Sequence, residues 1–165
     1  MSCSLEQLSN YQNESVVRRF CWEVGESLER GQFVFEHTKR FLWVCAQRHI
    51  DRQAGRQVPP PIPILMHMWA MDEMWHSFIL HTVDYEKFCE EELGQVVHHN
   101  PGFKALEGEP SRYDPVEFYC IQQVTLDAYR QGVEYISRKL SKLDAWYWFI
   151  ELPRQFPIDP RRINH

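Results

Sequence analysis

Between Pro63 and Gly94 the chain carries one helical pattern, Ile64 to Leu93, and that stretch limits the fold more than any other. Wound at about 100° per residue, Leu65, Met68, Asp72, His76, Ile79 and Val83 fall within roughly ±40° of one line. An acid and a histidine one turn apart therefore sit in the middle of an apolar stripe. Burying them costs free energy unless each has a partner. The partner can be the other member of the pair, a neighbouring side chain or a metal ion. The opposite side of the same helix collects His67, Met74, Phe78, His81, Tyr85 and Phe88. A helix apolar on two faces belongs at the centre of a bundle.

The rest of the chain reads as helix after helix, with no period-2 strand. Ser4-Leu5-Glu6-Gln7 fits a capping box. Asn13 suits the N-cap of a helix through about Arg30, closed by Gly31, and a second helix is expected from about Phe35 to His49. A polar loop, Asp51 to Gln57, leads into Val58-Pro59-Pro60-Pro61-Ile62-Pro63, a stiff extended connector. Gln95 to Phe103 reads as irregular, and Lys104 to Arg112 as a loop. Asp114-Pro115-Val116-Glu117 has the cap, the first-position proline and the acid of a helix start. A final helix is expected over Val133 to Ile150, bent near Gly132, with an extended tail from Pro153. The expected architecture is all-α: a single-domain bundle of about five helices around Ile64–Leu93, with residues 1–12 and 153–165 extended or irregular.

A length of 165 residues suits one domain. The net charge of −5 and the scattered basic residues give no support to a nucleic-acid partner. The longest uncharged apolar run, Val58 to Met71, is too short and proline-broken to span a bilayer. The N-terminus has neither the basic start nor the apolar core of a signal peptide. The five cysteines are odd in number and lack a C-x-x-C clip, which fits reduced thiols in a cytoplasmic protein. There is no Gly-rich phosphate loop, no G-x-S-x-G and no H-E-x-x-H.

Three groups of residues can carry chemistry. Asp72 and His76 are the first, either as metal ligands, as a base with its orienting partner, or as a core-fixing hydrogen bond. Glu73-x-x-His76 occurs once, whereas di-iron bundles use that sequence twice. His98 and His99 are the second: from an irregular segment, one of them can fold back and close a site on His76. Such ligands suit zinc, iron, copper or nickel. His81 and Tyr85, one turn apart, form the third group, a second hydrogen-bonded pair. Trp146 and Trp148 lie in an aromatic C-terminal segment that offers a docking face for a protein partner.

The arrangement Asp72-x-x-Trp75-His76-x-x-x-Leu80-His81-x-x-x-Tyr85-x-x-x-Cys89 resembles the glycine-rich-domain-containing protein family, with looser similarity over Phe35 to Gln131. The resemblance implies a helical domain with Asp72, His76, His81 and His99 at matched positions, and no established reaction. The chain lacks a glycine-rich tail, having only seven Gly. Two functions follow as expectations: a metal-binding cytoplasmic protein, hydrolytic or oxidative if an enzyme, or a non-enzymatic helical interaction module whose polar pairs are structural.

Overall fold

The computed structural model describes residues 4–62, 64, 66–99 and 115–157, with side chains for these except 66 and 115–125. Among the described residues there are helices and turns and no strand, so the all-α expectation holds. The helices are α1 (Leu5–Asn10), α2 (Glu14–Val24), α3 (Leu28–Gln53), α4 (Trp69–Ile79), α5 (Thr82–Phe88), α6 (Pro115–Lys139), α7 (Lys142–Trp146) and α8 (Leu152–Gln155). A 3-10 turn, Met66–Met68, precedes α4. One π turn, Cys89–Leu93, extends α5, and another, Tyr147–Glu151, joins α7 to α8. No described helix is long and apolar enough to cross a membrane.

Local chemistry sets most of the boundaries. The Ser4 hydroxyl accepts from the Gln7 backbone and the Gln7 side chain accepts from the Ser4 backbone, completing the box at α1. Asn13 caps α2 through Val16 N–H. The helix then stops at Gly25, not Gly31, because Gly25 takes the left-handed conformation at φ 77°. Ser27 starts a new helix by accepting from Arg30 N–H, and α3 runs through Gly31. Gly31 serves packing instead. A Cβ there would stand 2.3 Å from Cys21 Sγ and 3.1 Å from Val17 Cγ1, so its absence lets α2 and α3 close together.

The long central element is α3, and the expected helix Ile64–Leu93 is not one helix. It breaks at Leu80–His81, with no glycine or proline to mark the place. The cause is His81 itself. Its ring Nδ1 hydrogen-bonds to Ser77 O at 2.8 Å, occupying the carbonyl that an unbroken helix would offer to the His81 backbone N–H. That N–H turns to Phe78 O instead, and His81 O receives Tyr85 N–H to open α5. Gly94, at φ 73°, closes the second half as expected.

Of the two apolar faces, the Met74–Phe78 face is core. Met74, Phe78 and Phe88 are fully buried, and Tyr11, Phe35, Phe78 and Phe88 form one aromatic knot with ring separations of 4.8–6.3 Å. Each such phenyl ring removed from water stabilises the fold by about 2–3 kcal/mol. The other stripe does not stay inside. Met68 is buried, but Val83, beyond the break, is 77 % exposed. Leu65 and the cap at Asp114 lie outside the described residues.

At the C-terminus, Gly132 sits within α6, which runs through it uninterrupted, and the chain turns at Leu140–Ser141, where Ser141 caps α7 by accepting from Asp144 N–H. Pro153 is helical, contrary to the expected extended tail from that residue. It has no N–H for Phe149 O, and the preceding π turn accommodates that missing bond. Residues 158–165 are outside the description. Trp148 is fully buried while Trp146 is half exposed.

Three polar ties bind these elements. Lys39, with its side chain fully buried, donates to Leu8 O (2.9 Å) and Tyr11 O (2.7 Å) and pairs with Glu36 (2.8 Å), so it satisfies the carbonyl end of α1. Buried Asp51 accepts from Tyr135 and Lys139 of α6 and from Arg56 at 2.6–2.8 Å. Arg48 donates to Pro59 O and Pro60 O, which pins the proline connector to α3.

Candidate metal centre

Asp72 and His76 project from one flank of α4, a turn apart. They are not the buried pair that the periodicity predicts. Their side chains are 32 % and 43 % exposed, because α4 turns its Met74–Phe78 face to the core. Nor do they hydrogen-bond each other. His76 Nε2 stands 3.9 Å from Asp72 Oδ2, beyond hydrogen-bond length.

The partner of Asp72 comes from farther along the chain. His99 Nε2 lies 3.0 Å from Asp72 Oδ1, with the His99 side chain only 16 % exposed. The His76 and His99 rings are 4.6 Å apart, centroid to centroid. Thus the irregular segment after α5 does fold back onto α4. His99 makes the contact, while its neighbour His98 is exposed and stands outside the group. One ligand atom from each of Asp72, His76 and His99 lies within 4.8 Å of the other two.

The donor set fits a divalent transition metal. Two imidazoles and a carboxylate suit Zn²⁺ or Fe²⁺. Ligands about 2.1 Å from a tetrahedral ion stand about 3.4 Å from one another. Closing the group onto an ion therefore takes about an ångström of side-chain movement, which the half-exposed His76 is free to make. Asp72 also lacks a fixed cationic neighbour: its basic partners among the described residues are the two histidines, not a lysine or arginine.

His99 is held from behind. Its ring meets the Trp75 indole edge-on, with centroids 4.5 Å apart. The Trp75 indole N–H donates to the Tyr85 hydroxyl at 2.9 Å, and that hydroxyl donates to Val97 O. Burial, with Cys89 nearby, pushes the Tyr85 pKa upward, so the phenol keeps its proton. Gln95 adds two more anchors, from its side chain to Ala46 O and from its backbone to Cys89 O.

His81 and Tyr85 do not form the expected side-chain pair. His81 spends its ring nitrogen on Ser77 O, and Tyr85 serves Trp75 and Val97. The break rotates α5 away from the register in which the two side chains would meet. Cys21 and Cys89 are buried thiols whose pKa values burial raises, and they fit the expected role of small hydrophobes.

Residues 63–114 match the UCP032817-like family. The match covers Asp72, Trp75, His76, Tyr85 and His99, and it replaces the resemblance to the glycine-rich-domain-containing family, for which there is no support. No curated protein and no solved structure matches the chain.

Proposed function

We propose that this protein binds one divalent transition metal through Asp72, His76 and His99. The observation that carries the reading is the convergence of His99 on two ligand-type side chains of α4 from a segment 23 residues beyond His76. Three protein ligands leave coordination positions open, and the exposed His76 side marks where solvent or substrate would reach them. A bound ion supplies Lewis acidity there, polarising a substrate oxygen or lowering the pKa of water. The chain's own contribution is to hold the carboxylate between two imidazoles and to shield one side of the centre with Trp75.

The test is elemental analysis of untagged protein, with His76→Ala and Asp72→Asn alongside. Near-stoichiometric zinc or iron, lost in both variants while their folds persist, is the expected result. His76 is exposed enough that its removal should leave the melting temperature of the metal-free protein within a few degrees. Absence of metal in wild-type protein, and after reconstitution with Zn²⁺ or Fe²⁺, overturns the reading.

A second reading has one observation in its favour. Asp72 and His99 already satisfy each other at 3.0 Å, as a purely structural pair would. On the outer side, Leu143, Trp146 and Ile150 are exposed at about one-turn spacing, as in a non-enzymatic interaction module. That reading predicts metal-free protein in which His99→Ala lowers stability and nothing else.

A further inference from the structure

The residues that place His99 are distinct from the residues that would touch an ion. Trp75 and Tyr85 are both 6 % exposed, and they reach the 97–99 segment from opposite ends of the helix break. Trp75 lies on α4, between Asp72 and the neighbouring ligand His76, and faces inward where they face outward. Tyr85 lies on α5. One hydrogen-bonded line runs Trp75 Nε1–H to Tyr85 Oη, then Tyr85 O–H to Val97 O, two residues before His99. The same indole also packs edge-on against the His99 ring. Trp75 is held in turn by Phe41 of α3, at a ring separation of 6.1 Å. The segment has no helix or strand ladder of its own to fix it. Its placement depends on this line, on the anchors of Gln95 and on the hydrogen bond between the Val97 backbone and the Cys89 sulfur.

We propose that Tyr85 and Trp75 are positioning residues for the metal centre, acting through His99: they hold the Val97 carbonyl and the His99 ring so that Nε2 faces Asp72. The inference rests on the metal-binding reading of Asp72, His76 and His99. Without the Tyr85 hydroxyl, Val97 O loses its donor and Trp75 loses its acceptor, while Asp72 and His76 keep their places on α4. The centre would then fall from three prepared ligands to two.

A Co²⁺ titration of the untagged full chain, followed by visible absorbance, tests this with a double-mutant cycle. Tyr85→Phe should weaken Co²⁺ binding by about tenfold or more, as loss of an orienting group around a metal ligand does. In a His99→Ala background, the same substitution should change the affinity by less than about twofold. Equal losses in both backgrounds would show a general effect on the fold and overturn the inference. So would unchanged affinity in Tyr85→Phe. Trp75→Phe carries the same cycle if Tyr85→Phe does not fold. Failure of wild-type protein to bind Co²⁺ sinks the metal reading itself, and is seen before any variant is made.

Discussion

The Trp148 indole N–H donates to Nδ1 of His37 at 2.9 Å, so this ring nitrogen must carry a lone pair in the folded protein. His37 also stacks on Tyr147, at a centroid separation of 4.3 Å. Burial, and next the Arg40 guanidinium, hold its pKa down at about 4, against 6.5 for a free histidine. The folded state therefore binds the proton less readily than the unfolded chain. Stability should be complete above pH ~6.5 and should fall as the pH drops through the interval to about 4. At about 1.4 kcal/mol per pKa unit, the loss is at most about 3 kcal/mol. Urea midpoints measured from pH 7 to 4 check this. His37→Asn, which keeps an acceptor that does not protonate, should flatten that part of the profile.

Asp51 makes a separate prediction for α3 and α6. Burial opposes its charge, but Lys139, Tyr135 and Arg56 outweigh that and bring its pKa to about 2, from 3.8. Its contribution is present above pH 3.8 and disappears as the pH falls toward 2. Tyr135→Phe should cost about 1–2 kcal/mol, and Asp51→Asn about 2–4 kcal/mol because Lys139 is left without its counter-charge. Denaturant titration at pH 7 gives both values. A neutral Asp51→Asn would show that α6 docks without this tie.

Gly31→Ala should destabilise by about 1–3 kcal/mol, because the new methyl enters the space of Cys21 Sγ. Cys21→Ala in the same chain removes the nearer clash and should recover part of the loss. The Val17 contact at 3.1 Å prevents full recovery. A double-mutant cycle on thermal unfolding reports the coupling, and strict additivity would contradict the close approach of α2 and α3.

Lys39→Met keeps the length of the side chain and removes its donors. The Tyr11 carbonyl then loses its partner, the Leu8 carbonyl keeps only the Tyr11 N–H, and α1 should loosen before the rest of the protein. Hydrogen exchange is the measurement. Amides of α1 should speed up by about tenfold or more, with little change in the core of α3. Uniform acceleration across the chain would mean that Lys39 supports the whole fold and not this end of it.

The contrast between these sites shows what could be read in advance. Signals confined to a few consecutive residues were legible: the Ser4 box, the Asn13 cap, the Gly94 stop and the Pro115 start all appear where the local pattern puts them. Gly25 and Gly31 are alike as sequence, and only the packing of α2 on α3 decides which one ends a helix. The break at His81 left no mark because its agent is a ring nitrogen competing for a carbonyl. Asp72 and His76 are legible as candidates, but their exposure is not, because α4 carries two candidate apolar faces and only packing against the other helices makes the Met74–Phe78 face the core. His99 was legible only as one of two neighbours, since nothing local says which imidazole turns inward. Lys39 and Asp51 are not legible because the partners that tie them to other helices, Leu8 and Tyr11 for one and Tyr135 and Lys139 for the other, lie 28 or more positions away.

Anchoring at Gln95 and Val97 gives the stretch from Gly94 to His99 a fixed count of residues. One residue inserted there would carry His99 past Asp72 and exchange its inward side for that of a neighbour. The same insertion between Arg56 and Gln57, both exposed and outside any helix, would disturb the molecule far less. Descendants of this gene should therefore vary freely in length at the second place and hardly at all at the first.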